Sequence, residues 1–99
     1  MTETKKPKIL IVDDEEKNLK VMGMILQSCS YDFQTAKSGL EALEKTKEYS
    51  PDLIFLDIMM PGMDGYAVCN QLKQDVKTAD VPVVFLTGKD AREDQGRSV

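Results

Sequence analysis

The chain contains no histidine and no tryptophan, only three tyrosines and three phenylalanines, and two cysteines. Without histidine there is no Ser-His-Asp or Cys-His nucleophile system and no imidazole metal site. A metal held by this chain would therefore have oxygen ligands, which suit hard cations such as Mg²⁺. Cys29 and Cys69 have no C-x-x-C spacing and no secretory signal ahead of them, so both are expected to be buried free thiols in a reducing compartment. The longest apolar stretches, around Leu53 to Leu56 and Val83 to Leu86, are far too short to span a bilayer, and a cytoplasmic location is expected. Basic charge is also short: 13 Lys and Arg face 17 Asp and Glu, for a net charge of -4. The one basic cluster, Lys5, Lys6 and Lys8, reads as a solvated lead-in to the first strand, so neither nucleic acid nor membrane is an expected partner.

What is present is an ordinary globular composition: 99 residues, 41% apolar and 30% charged. That is room for one domain with a thin core. Three apolar runs, Lys8 to Val12, Leu53 to Leu56 and Val81 to Leu86, are β-branched or aromatic, do not alternate, and are too short for helices. They fit strands covered on both faces, as in a parallel sheet. Tyr31 to Ala36 alternates more and suits an edge strand.

Helical patterns fill the intervals. From Glu15 to Cys29 an apolar stripe is formed by Leu19, Met22, Leu26 and Cys29, widened by Ile25. A second helix starts at Ser38, with Glu41 placed for a capping box and Leu40 and Leu43 on its apolar side. A third starts at Asp64 as N-cap and carries Val68, Cys69, Leu72 and Val76. The order β-α-β-α-β-α-β predicts an α/β, doubly wound parallel sheet with right-handed crossovers and helices on both faces. From Gly88 to Val99 the only apolar side chains are Ala91 and Val99, so residues 88–99 read as a polar tail or a partial fourth helix.

Ligands of open parallel sheets bind beyond the carboxyl ends of the strands. The first run ends in Asp13-Asp14, the second in Asp57 and the last in Thr87-Gly88. Each aspartate taken singly reads equally as a turn or helix-capping residue. Three carboxylates on one edge repel one another, however, and that cost is relieved by a cation such as Mg²⁺ with coordination positions left for phosphate oxygens. Beside such a cation a carboxylate can attack phosphorus and form an aspartyl phosphate. Asp57 is the candidate nucleophile because it closes the most central run. Thr87 could donate to a phosphoryl oxygen, and Gly88 leaves room for its backbone N–H to approach the same group.

The segments Ile-Leu-Ile-Val-Asp13-Asp14-Glu with Asn18, Asp57-Ile-Met-Met60-Pro61-Gly-Met63-Asp64-Gly65, and Val-Val-Phe-Leu-Thr87-Gly88 resemble the receiver domains of two-component response regulators, over residues 8 to about 92. The resemblance implies a flavodoxin-like receiver fold of strand order 2-1-3-4, with Asp57 as phosphoacceptor and Thr87 as the switch hydroxyl. It further implies Mg²⁺ (or Mn²⁺) held by Asp14, Asp57 and the backbone carbonyl of Met59, with Asp13 acting largely through water. The phosphodonor would be a histidine kinase or a histidine phosphotransfer domain, and the only catalysis self-phosphorylation and autodephosphorylation of Asp57. Pro61-Gly62 and Asp64-Gly65 are turn formers whatever the chemistry, and Met59, Met60 and Met63 fit loop and core packing.

The family has five βα units, and this sequence stops early in the fourth helix. Strand five, helix five and most of helix four are missing, and with them the lysine and the aromatic switch residue of strand five. Lys89 and Arg92 follow Thr87 closely but read as solvated tail residues. The truncated receiver, a single domain of residues 1–99 with 1–6 as lead-in, is expected to expose the edge of strand 81–87 and one sheet face, and so to form a homodimer. The alternative is a degenerate receiver that acts as a dimerisation module with phosphorylation lost or uncoupled. The polar ending Gln95 to Val99 also reads as an interruption of a longer regulator.

Overall fold

A computed structural model of the chain describes residues 6–86. Its elements are β1 (Lys8–Val12), α1 (Glu16–Ser28), β2 (Asp32–Ala36), α2 (Gly39–Tyr49), β3 (Leu53–Asp57), α3 (Gly65–Gln74) and β4 (Val83–Leu86). The four strands form one parallel sheet in the order β2-β1-β3-β4, with Ile11 opposite Phe55 and Asp57 opposite Leu86. This is the flavodoxin-like order expected from the sequence. Residues 87–99, and with them the expected polar tail or partial fourth helix, lie outside the described residues.

The period-two geometry of the strands sorts the core into two layers. Leu10, Val12, Ile54 and Leu56 point to one face and meet Ala42 of α2 with Val68 and Leu72 of α3. Ile9 and Ile11 point to the other and meet Leu19 and Leu26 of α1. Leu10, Ile11, Val12, Ile54 and Leu56 have no exposed surface, as strands sandwiched between helices require. On the α1 side, Leu53 and Phe55 are half-buried and Val84 is 44% exposed, because α1 covers only β1 and its near neighbours.

Several expectations are corrected. β2 and β4 are shorter than the apolar runs that announced them, starting at Asp32 and Val83. Cys29 is exposed, not buried, and Cys69 is half-buried. Ile25 and Leu40 face solvent, and Val76 lies beyond the end of α3 and is 87% exposed. The physical reason is common to these residues. Helical periodicity orients a stripe, but whether its flanks are covered depends on what packs beside the helix.

The caps follow their sequence signals with one shift. Asp64 accepts from the Ala67 N–H at 2.9 Å, and the Ser38 hydroxyl accepts from the Glu41 N–H at 3.1 Å. Glu41 reaches back past Ser38 to the N–H of Lys37, at 3.0 Å, and pairs with Lys45 at 3.4 Å. The Lys37 backbone bond, followed by Lys45, holds the Glu41 carboxyl below the ordinary glutamate value. A lowered folded-state pKa stabilises the fold above the unfolded value and loses that contribution as pH falls through the folded one. The melting temperature of Glu41→Gln should therefore lie below that of the parent at pH 7, and the difference should vanish in acid. Ser38→Ala should cost about 1 kcal/mol, measured by urea unfolding.

Candidate functional site

The carboxyl ends of β1 and β3 are neighbours, since Val12 pairs with Leu56. Asp13 and Asp14, which follow β1, and Asp57, the last residue of β3, are thereby brought together. Asp13, Asp14 and Asp57 each present a carboxylate oxygen, and these oxygens all lie within 4.8 Å of one another. Asp13 and Asp57 are buried and Asp14 is exposed, so the cluster opens to solvent on the Asp14 side. Thr87 and Gly88, which the sequence places on the same edge, lie outside the described residues.

Local chain geometry orients the carboxylates. The Asp13 N–H is spent on the Ala36 carbonyl of β2, at 3.1 Å, which anchors the turn after β1. Its carboxylate takes the Glu15 N–H on Oδ1 at 2.9 Å and the Asn18 amide on Oδ2 at 3.1 Å. The turn-forming role that any such aspartate can fill is thus real for Asp13, and it coexists with membership of the cluster. Asp57 receives the Met59 N–H on Oδ1 at 3.3 Å. The loop beyond is closed by the Gly65 N–H on the Ile58 carbonyl at 2.9 Å and by a left-handed turn at Gly62, φ 79°, where Pro61-Gly62 was expected to turn. Met60 is buried in the core and Met63 packs against it, whereas Met59 is 51% exposed beside Asp57.

Two features of the site were not read from the sequence. Asn18 was a motif match without a role; one turn into α1, it stands five residues beyond Asp13 and donates to it. Gly65 read as a turn former, yet it is a buried close-approach position. A Cβ there would stand 2.5 Å from the Asp57 carbonyl oxygen and 2.8 Å from the Ile58 Cα, so the start of α3 rests directly on the Asp57 backbone.

Chemically, the cluster is an all-oxygen donor set of matching charge. Among the described residues neither Asp13 nor Asp14 has a lysine or arginine within salt-bridge distance; the ion pairs are Lys37–Glu16 and Lys45–Glu41. Octahedral Mg²⁺, with ligand oxygens at about 2.1 Å, needs oxygens roughly 3 to 4 Å apart. The carboxylate oxygens, all within 4.8 Å of one another, are close enough to share one such cation. Lys6 and Lys8 lie at the opposite end of the sheet, around Asp32 and Asp52, away from the carboxylates.

Residues 9–99 match the sequence pattern of the response regulator receiver domain. Response regulator PleD of Caulobacter vibrioides is 44% identical over 88 residues, covering 89% of this chain and 19% of PleD. The DNA-binding dual master transcriptional regulator RpaA of Synechocystis is 41% identical over 82% of this chain and 34% of its own length. The chain thus spans between a fifth and about a third of these two relatives. Among solved structures, the N-terminal domain of a response regulator receiver protein from Methanoculleus marisnigri is 37% identical with a TM-score of 0.81, over 91% of this chain and 76% of that one. The chemotaxis response regulator CheY4 of Vibrio cholerae is 28% identical with a TM-score of 0.81, over 93% and 77%. With the strand order, the acidic edge and the sequence match in agreement, the chain belongs to the response regulator receiver domain family of two-component signalling.

Proposed function

We propose that this domain accepts a phosphoryl group on Asp57 from a histidine kinase or a phosphotransfer protein, with Mg²⁺ or Mn²⁺ held by Asp14, Asp57 and the backbone carbonyl of Met59, and by Asp13 largely through water. The observation that carries the reading is the convergence of three carboxylates within 4.8 Å at the end of a parallel sheet. A structural turn needs one aspartate, not three, and three repel unless a cation is bound.

A carboxylate oxygen of Asp57 attacks phosphorus, the bond from phosphorus to the donor nitrogen breaks, and the leaving imidazole takes up a proton. These 99 residues hold no histidine, so the donor imidazole lies outside them. Mg²⁺ held by these carboxylates would supply positive charge for the phosphoryl oxygens. Asp13 and Asp14 hold the charge balance, the Met59 N–H orients Asp57, and Thr87 with the Gly88 N–H would donate to the phosphoryl oxygens. Water attack on the same phosphorus returns the free carboxylate and inorganic phosphate. Retention of the whole acidic set favours this reading over a degenerate module without phosphorylation.

Incubation with acetyl phosphate and Mg²⁺ should give a single phosphate adduct by intact mass, and chelation of the metal should remove it. Absence of the adduct under conditions that label another receiver domain overturns the reading.

Residues 1–99 act as one receiver domain in this reading, in the cytoplasm; no helix among the described residues is long and apolar enough to cross a membrane. Pairing of two copies through β4 would complete the sheet. β4 stands at its end, pairing only with β3 among the described strands, and Val84 beside half-buried Phe55 leaves apolar surface open next to it. Two-fold pairing of these edges buries both features at once. Sedimentation at micromolar concentration should show a dimer, and a stable monomer there rules the pairing out.

A further inference from the structure

We infer that Asn18 is a positioning residue for the cation site: its side-chain amide holds Asp13 in the orientation that completes the carboxylate cluster. The inference rests on the metal-binding reading proposed above. Asn18 Nδ2 donates to Asp13 Oδ2 at 3.1 Å and to Glu15 Oε1 at 3.3 Å. An amide nitrogen carries two hydrogens, so both are committed, one to each carboxylate. The Glu15 N–H takes the other oxygen of Asp13 at 2.9 Å, and Asp13 is held by one donor on each oxygen.

The choice of an amide is chemically specific. A lysine at this position would reach the same carboxylates but bring a full positive charge to the edge where a cation must bind. An apolar residue would leave a buried carboxylate with one donor fewer and free to rotate. Asn18 restrains Asp13 while leaving its negative charge for the metal. A metal-site carboxylate, direct or through water, held by a hydrogen-bond donor outside the metal's own shell is a recurrent way of raising affinity, and loss of such a partner typically weakens binding by about tenfold to a hundredfold. Placement on the half-buried side of the first turn of α1 ties the restraint to the helix that follows the acidic pair, so the turn and the ligand are oriented together.

The test is titration of MgCl₂ into the metal-free protein by calorimetry, with the parent, Asn18→Ala, Asn18→Gln and Asp14→Asn. Asn18→Ala should weaken Mg²⁺ binding at least tenfold. Its metal-free melting temperature should fall modestly, because buried Asp13 loses a donor and the better helix propensity of alanine offsets only part of that loss, while the rise in melting temperature on adding Mg²⁺ should shrink. Asn18→Gln, which keeps the amide but displaces it by one methylene, should fall between the two and carries the test if the alanine variant does not fold. The Asn18 side-chain amide resonance of the parent should shift with the same Mg²⁺ midpoint as the Asp57 backbone. Equal Mg²⁺ affinity in the parent and the Asn18 variants, with binding weakened in Asp14→Asn, overturns the role of Asn18 and leaves the metal site standing. Failure of the parent to bind Mg²⁺ overturns both.

Discussion

Asp57→Asn should reduce the phosphate adduct formed with acetyl phosphate and Mg²⁺ to background while leaving the protein folded. Asparagine keeps the shape of aspartate and an oxygen that can accept the Met59 N–H, now at 3.3 Å from Oδ1. It removes the anionic oxygen that would attack phosphorus, and an amide oxygen is far too weak a nucleophile to replace it. It also lowers the number of carboxylates in the cluster from three to two, which relieves repulsion at a residue that is only 5% exposed. The variant should melt at the same temperature as the parent or higher in the absence of metal. That combination, lost labelling with retained or increased stability, separates a chemical role from a structural one. An adduct that persists in Asp57→Asn moves the acceptor elsewhere, and a lower melting temperature makes Asp57 a structural residue first.

Gly65→Ala is expected to have the largest effect on stability of any single-methyl change near the site. The added carbon would stand 2.5 Å from the Asp57 carbonyl oxygen and 2.8 Å from the Ile58 Cα. Both are backbone atoms, so no side chain can swing away. Either the first turn of α3 lifts or the Asp57–Ile58 segment shifts, and the 2.9 Å bond from the Gly65 N–H to the Ile58 carbonyl is lost with it. Overpacking of this kind costs about 3 kcal/mol, a large part of the roughly 5 to 15 kcal/mol that holds a domain folded. Urea unfolding should show the loss. Phosphorylation at low denaturant should slow as well, because the displaced backbone carries Asp57. Gly62→Ala is the contrasting change: it meets nothing within 4 Å but must adopt φ 79°, a backbone cost of about 1 to 2 kcal/mol. It should therefore be milder, and a Gly65→Ala protein as stable as Gly62→Ala would refute the close-packing argument.

How much of the site could be read in advance divides along physical lines. Asp13, Asp14 and Asp57 were legible because a parallel strand announces itself as an apolar run, and the residue after the run falls on a predictable edge. Their convergence needed only β1 and β3 to be neighbours. Asn18 was visible as a residue but not as a donor, because its bond to Asp13 depends on where α1 starts relative to the turn, a matter of a few ångströms. Gly65 was legible as a turn former, while the contact that demands glycine there is with the backbone of another segment. Cys29, Ile25 and Leu40 are exposed despite their place in apolar stripes for the converse reason, since an apolar residue on the flank of a stripe is buried only if another element covers that flank.

Sequence by itself determined the element order, the parallel sheet, the acidic edge and the exclusion of imidazole chemistry from these 99 residues. These are consequences of local chain chemistry: side-chain periodicity, turn-forming residues, charge, and the complete absence of imidazole. Tertiary structure alone decided which flank of each helix is covered, that Asp13 is held by donors on both oxygens, and that α3 begins on the Asp57 backbone. Those depend on distances between segments remote in sequence, which packing sets to within ångströms and which no local pattern encodes.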